Sequence, residues 1–194
     1  MINTFIDGFV VKDYHTELAD TAIVEQILGR DNARLALIGF EYVAGATAHT
    51  MSIMYPGGTR TTASAAAAAS QKDVVCADAP CDPAGNPVAS GDIVAYKIAN
   101  GSWEFNVVDS LATKTITFTT NLSAIVPEGS PIRIFGVVGD GACLNIALPA
   151  NTTTEKHGSI YAVAPTSGDP LYVSIDNATN AGKLNHMLFA YINK

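Results

Sequence analysis

The sequence predicts a mainly β fold, an antiparallel sandwich or barrel of about ten strands with one short helix near the N-terminus. Three observations lead there. The stretch Gly91 to Val108, GDIVAYKIANGSWEFNVV, reads as a hairpin, because Asn100-Gly101 offers two residues that tolerate positive φ, as a two-residue type I′ turn requires. Thr113 to Thr120, TKTITFTT, alternates strictly, which sets Ile116 and Phe118 on one face and threonines on the other. Elsewhere short apolar runs recur between turn clusters such as PANTTTEKHG, PTSGDP and DNATNAGK. That rhythm belongs to sandwiches and barrels rather than to parallel sheets wrapped in helices.

Taken in order, residues 1 to 16 read as an N-terminal arm in which Phe5, Ile6, Phe9, Val10 and Val11 mix with Asp7 and Gly8, with room for a short strand. The helix is predicted over about 17 to 28. Thr16 caps it, Glu17 and Asp20 sit at its positive end, Leu18, Ala22, Ile23, Ile27 and Leu28 recur at near three-to-four spacing, and Gly29 stops it. Arg34 to Val43 and His49 to Tyr55 read as strands. The segment Thr59 to Gln71, TRTTASAAAAASQ, has high helix propensity but no large apolar residue for a helix to bury, and reads as an extended arm, a loop or a short helix against a neighbour. Residues 73 to 90 hold Pro80, Pro83 and Pro87 and form a turn-rich connection.

The hairpin follows. Folded at Asn100-Gly101 it pairs Ile98 with Trp103, Lys97 with Glu104, Tyr96 with Phe105 and Val94 with Val107, giving one continuous apolar face that includes Trp103. Pro131 to Val138, Ala142 to Leu148, Ser159 to Ala164, Leu171 to Ile175 and Asn185 to Ile192 supply further strands. The expected partition is 1–72 for the arm, helix and first strands, 73–90 for the connection and 91–194 for the barrel or sandwich, with one continuous domain as the alternative.

At 194 residues the chain can bury a core without metals or disulfides. It is 48% hydrophobic and only 15% charged, where about 25% is usual, and carries a net charge of −7. Low charge points to a surface that meets other protein. Net acidity argues against nucleic acid and anionic membranes as partners. No apolar run is long enough for a spanning helix, and the N-terminus lacks a secretory leader's basic start and apolar middle, so the expectation is a protein made in a cytoplasm or a mature form whose leader has been removed. Cys76 and Cys81, in CADAPC, lie within reach of a disulfide, although three free thiols fit a reducing compartment better; Cys143 lies in an apolar run and reads as a core residue.

The chemistry-bearing residues form no recognised motif. His15, His49, His157 and His186 have no partner at metal-ligand spacing, and neither nucleophile elbow, phosphate loop nor calcium loop occurs. Asp73, Asp78, Asp82 and Asp92 gather around the Cys-Pro connection without the ligand spacing of a calcium site. A hydrolase would need His157 or His186 to meet Asp140 and Cys143 in a pocket. The four Asn-x-Ser/Thr triplets, at Asn100, Asn121, Asn151 and Asn177, are expected by chance in turns this rich in Asn, Ser and Thr. The sequence therefore predicts no enzyme, no cofactor and no metal site.

In overall style the stretches SGDIVAYKIANGSWEFNVVDSLATKTITFTTNL and HMLFAYINK resemble the small β-rich capsid decoration, or cement, proteins of tailed bacteriophages, a likeness that covers about half of the chain. The resemblance implies a non-enzymatic protein on a virion surface, a homotrimer that clamps major capsid protein subunits by multivalent contact. On that reading the contacts fall on the two arms, at Phe5, Ile6 and Phe9 and at Thr59, Arg60, Thr61 and Thr62. The alternative is a receptor- or glycan-binding module, a fibre knob or tail adhesin, acting through loops 149–158 and 165–170.

Overall fold

A computed structural model describes residues 6–13, 23–28, 33–138, 143–163, 168–175 and 182–193. They form fourteen strands, more than the ten or so expected: β1 (Ile6–Asp13), β2 (Ile23–Leu28), β3 (Ala33–Ala44), β4 (His49–Met54), β5 (Arg60–Thr62), β6 (Asp73–Val75), β7 (Ile93–Lys97), β8 (Trp103–Ala112), β9 (Thr115–Phe118), β10 (Pro131–Gly136), β11 (Cys143–Leu148), β12 (Thr153–Val163), β13 (Pro170–Ile175) and β14 (Gly182–Asn193). The mainly β, antiparallel class is as predicted, and no helix among the described residues is long and apolar enough to cross a membrane.

The chain divides into two compact units, Met1–Tyr55 with Leu144–Lys194, and the intervening Pro56–Cys143. This differs from the expected partition at 72 and 90. β5 and β6, which those boundaries would have separated, belong to the same inserted unit.

The first unit has two four-stranded sheets, ordered β1-β14-β3-β12 and β11-β4-β13-β2. The pairs β1·β14, β14·β3, β3·β12, β2·β13 and β13·β4 are all antiparallel. At each step along the chain the path crosses to the other sheet, except between β4 and β11, which are neighbours. Eight strands so ordered make two Greek keys, the jelly-roll form of the β-sandwich. Both sheets feed one core. Leu37, Phe40, Tyr42, Met187, Phe189 and Tyr191 of one meet Met51, Ile53, Ile146, Leu171, Val173 and Ile175 of the other.

The predicted helix is corrected here. Residues 23–28 are strand β2, paired along its whole length with β13 from Ile23↔Ile175 to Leu28↔Pro170; residues 17–22 lie outside the described residues. Three of the six, Ile23, Val24 and Ile27, are β-branched and favour strand, so once β13 offers a ladder the helical spacing decides nothing. The short strand allowed for in the N-terminal arm is present: Ile6–Asp13 runs antiparallel to β14 from Ile6↔Ile192 to Asp13↔His186.

The inserted unit is a six-stranded sheet ordered β5-β10-β7-β8-β9-β6. Its two ends join. Ala63 bridges Cys76, Ser64 N–H donates to Val75 O at 2.8 Å and Ala77 N–H to Thr62 O at 2.8 Å, which closes the sheet into a barrel. The alternation read from the sequence fills it: Val74, Cys76, Val94, Tyr96, Val108, Ile116, Phe118, Ile132 and Ile134 form one buried cluster, and the Tyr96 and Phe118 rings pack at 5.1 Å.

The hairpin exists, but its register is one residue away from the expected one. Lys97 faces Trp103, Tyr96 faces Glu104, Ala95 faces Phe105 and Val94 faces Asn106. Gly101 N–H donates to Ile98 O at 2.8 Å and Ile98 N–H to Ser102 O at 3.0 Å, which makes a three-residue loop with only Gly101 at positive φ, +83°. Asn100 stays at negative φ and its Oδ1 accepts from Ser102 N–H at 2.9 Å. The side chain's own turn thus stabilises the longer loop over the type I′ alternative. As a result Trp103 is not on the barrel's core face. It lies on the opposite face with Phe105, whose ring meets Phe135 at 5.6 Å.

Candidate functional site

In the inserted barrel three places stand out, two built of polar or aromatic side chains and one of uncharged loop segments. The first is a polar network on the core face of β7 and β8. Tyr96 donates to Glu104 Oε1 at 2.8 Å, Asn106 Nδ2 donates to the Tyr96 hydroxyl at 3.3 Å and to Thr120 O at 3.0 Å, and Thr120 Oγ1 donates to Asn106 Oδ1 at 2.8 Å. Ser123 N–H donates to Glu104 Oε1 at 3.2 Å and its hydroxyl donates to Glu104 Oε2. Burial pushes the Tyr96 hydroxyl well above its ordinary range, and the Glu104 carboxylate adds to this against the Asn106 hydrogen bond. The phenol therefore stays a donor. Glu104 has both oxygens occupied, so the network fastens the loop 119–123 to the barrel wall rather than presenting a reactive group.

The second is Trp103, with Lys97 Nζ 5.3 Å and Arg133 Cζ 5.8 Å from its ring centre. The indole is only 6% exposed, so it serves packing and cation–π contact and offers no open platform to a ligand.

The third is one end of the barrel, assembled from three separate segments. Ser70 N–H donates to Leu122 O and Leu122 N–H to Gln71 O, at 2.9 and 2.7 Å; Ala67 and Val126 exchange hydrogen bonds at 2.9 and 3.0 Å; Ala99 N–H donates to Ile125 O at 2.9 Å. Leu122, Val126 and Ala67 turn inward and are buried, while Ala66, Ala68, Ala99 and Ile125 are exposed, Ile125 by 50%. Residues 61–71, 98–103 and 119–127 contain no Asp, Glu, Lys, Arg or His. Sequence reasoning missed this feature. Each segment alone is an ordinary polar loop, and only the tertiary hydrogen bonds bring them together.

Of the expected contact residues, Thr59 to Thr62 lie in the barrel wall rather than on a free arm. Thr61 is 3% exposed; its hydroxyl accepts from Asp78 N–H at 3.0 Å and donates to Asp78 Oδ2 at 3.3 Å. Thr59 Oγ1 accepts from Cys81 N–H at 2.9 Å. Arg60 and Thr62 are exposed on β5, with Arg60 opposite Arg133 and Thr62 opposite Pro131. Phe5 lies outside the described residues, and Ile6 and Phe9 are placed in β1 by backbone only.

Cys76 and Cys81 are free thiols, not a disulfide. Cys76 belongs to the barrel core and Cys81 sits on the loop, bridged to Pro87. Burial pushes the Cys76 thiol up to about 12, with Asp78 adding to it and Lys114 opposing. Desolvation of Asp82 is outweighed by hydrogen bonds from the Asn86 backbone and side chain and the Ala84 and Gly85 amides, so its carboxyl lies below the usual range. Those bonds close a tight loop: Asn86 N–H reaches Asp82 Oδ1 at 2.8 Å. Among the described residues no group of three or more His, Cys, Asp or Glu could hold a metal ion. His49 is buried in the first unit, its ring edge-on to Tyr42 at 5.9 Å. The side chains of His157, His186 and Cys143, and the whole of Asp140 and residues 165–167, lie outside the described residues.

No family model matches the chain, and no curated protein matches it. A solved structure, VP17, a capsid protein of bacteriophage P23-77, is similar to it with 13% identity over the whole of both chains and a TM-score of 0.17. A superposition that loose carries no argument about fold or function.

Proposed function

We propose that the chain is a non-enzymatic virion structural protein that decorates and stabilises a capsid through multivalent contacts to capsid subunits and to copies of itself. The observation that supports this reading most is the strand order of the first unit, β1-β14-β3-β12 over β11-β4-β13-β2. This jelly-roll order is the architecture of many viral capsid domains, and the support is a fold-level analogy. The low charge, 15%, adds to it, because a surface that spends its life against protein needs fewer ions than one kept apart in solution. Multivalent attachment lets weak single contacts hold firmly once several are linked.

Mass spectrometry of purified particles from the source of the gene tests the reading. The chain is expected among the particle proteins at a fixed ratio to the major capsid protein, and antibodies against it are expected to label intact particles. Its absence from particles overturns the proposal. Jelly rolls also build lectins, which favours a second reading, a glycan-binding module. Specific sugar binding on an array together with absence from the capsid shell supports that reading instead.

A further inference from the structure

We infer that Asn100, at the tip of the β7–β8 hairpin, is a self-modifying site: it loses its side-chain amide through attack by the backbone nitrogen of Gly101, leaving aspartate and isoaspartate at this position. The step is intramolecular and needs only water. The Gly101 nitrogen gives up its proton to water or hydroxide and attacks Asn100 Cγ. The new C–N bond closes a five-membered succinimide, and the bond from Cγ to Nδ2 breaks as ammonia leaves with a proton returned from water. A second water opens the ring. Attack at Cγ gives aspartate, and attack at the Asn100 backbone carbonyl gives isoaspartate, in which the main chain runs through Cβ and Cγ. In sum one water is taken up, one ammonia is released, and nothing is oxidised or reduced. Nothing in this chemistry depends on the virion reading. The product places a carboxylate in the 98–103 stretch, which has no ionisable side chain, and isoaspartate adds a backbone atom to the loop whose length sets the Lys97–Trp103 pairing.

The neighbours select this asparagine. Asn100 alone among the asparagines of the chain is followed by glycine, so no Cβ stands beside the attacking nitrogen. The surroundings are open as well: a Cβ built on Gly101 would meet nothing within 4 Å. The carboxamide is already folded back over the peptide that follows it, with Oδ1 accepting from Ser102 N–H at 2.9 Å. That donor sits on the oxygen where negative charge develops when Cγ is attacked, and a donor already in place favours the attack. Gly101 N–H is engaged by Ile98 O at 2.8 Å, so ring closure waits for this bond to open. Residues 99 to 102 are all exposed, which makes that opening a local event in a folded barrel. No other asparagine whose side chain is described combines these features. Asn86 precedes Pro87, whose nitrogen has no proton to give up. Asn106 is buried, with its carboxamide held by Tyr96, Thr120 and Val107 N–H. Asn121, Asn145 and Asn151 precede Leu122, Ile146 and Thr152, whose side chains crowd the attacking nitrogen.

Peptide mapping of the folded full chain after incubation at neutral and at mildly alkaline pH tests this. Mass marks the exchange of amide for acid, and enzymatic methylation of isoaspartate marks the rearranged product. Conversion is expected at Asn100 ahead of every other asparagine, faster at the higher pH, with both products present and an acidic form separating on ion exchange. Asn100→Gln is expected to abolish the signal at this position, because attack on the longer side chain needs a six-membered ring. Gly101→Ala is expected to slow it by crowding the nitrogen. A thermal midpoint shows whether Gly101→Ala still folds, and Asn100→Gln, which keeps the glycine, carries the comparison where it does not. A folded chain whose Asn100 is unchanged when a free peptide of residues 96–105 has converted completely overturns the inference. So does earlier conversion at another asparagine, or aspartate formed without isoaspartate, which marks direct hydrolysis of the side chain rather than ring closure.

Discussion

Lys97 stands opposite Trp103 across the β7–β8 hairpin, with its ammonium nitrogen 5.3 Å from the centre of the indole ring. That pairing exists only because the loop between them has three residues. A two-residue turn at Asn100-Gly101 would set Trp103 against Ile98 and turn it toward the other face of the sheet.

The loop makes a sharp distinction between its two central residues. Gly101, at φ +83°, pays no steric cost there, and Gly101→Ala is expected to destabilise the protein by about 1–2 kcal/mol. Asn100 is at negative φ, so Asn100→Ala loses only the exposed hydrogen bond to Ser102 N–H, about 0.5 kcal/mol. Urea denaturation at constant m-value measures both. Equal costs at the two positions would instead indicate positive φ at both and a type I′ turn.

Cys76 and Cys81 are expected to differ in reactivity. Because burial raises the Cys76 thiol to about 12, its thiolate is scarce at pH 8 in the native state, and iodoacetamide followed by peptide mapping should modify Cys81 first and Cys76 only on unfolding. The same shift has a pH consequence. A group whose folded-state pKa is raised adds stability below its unfolded pKa, near 9, and that contribution is lost as pH climbs toward 12. The urea midpoint of the wild type is expected to fall over this window more than that of Cys76→Val; parallel curves would contradict the barrel placement of the thiol.

The network under the hairpin is expected to be coupled. Tyr96→Phe removes a donor to Glu104 and an acceptor for Asn106, and should cost about 1–3 kcal/mol, because the remaining groups are half-buried or buried. In a cycle with Glu104→Gln the two substitutions should be non-additive by at least about 0.5 kcal/mol. Strict additivity would mean that the two side chains act independently.

The insertion is expected to be separable. β4 and β11 are neighbours in their sheet, so the ends of residues 56–143 leave the first unit side by side. Joining Tyr55 to Leu144 through a short Gly-Ser linker should leave a jelly roll that unfolds cooperatively, and residues 56–143 alone should do the same. Circular dichroism with urea titration of both fragments provides the check. Loss of cooperative unfolding in either one would show that the units depend on each other.

The sequence announced the strands that carry their own pattern. Ile116 and Phe118 alternate with threonines and are buried in the barrel as expected, and β3, β4, β7, β8, β10 and β13 fall close to their predicted spans. What it hid are elements whose identity comes from a distant partner. β5 and β6 have three residues each and become strands because Ala63 and Cys76 close the barrel. β2 has a helical spacing that pairing with β13 overrules. The hairpin register turned on one backbone torsion, that of Asn100, which Asn-Gly leaves open. The same limit hid the barrel end assembled from uncharged segments, since the segments that build it lie about 30 to 60 residues apart in the chain.

The position of β14 between β1 and β3 also sets an order of events during synthesis. β1 is made early but has no ladder neighbour among the described strands until β14 emerges, nearly the whole chain later. The barrel, by contrast, completes every one of its pairings within residues 56–143. It is therefore expected to form on the ribosome while the strands before it wait, and the sandwich to close last around them. Closing contacts of such long range are slow to form, and the waiting strands have free edges in the interval. On this view the barrel folds early from local contacts, and the jelly roll is the step at which a nascent chain pauses, misassembles or enlists a chaperone.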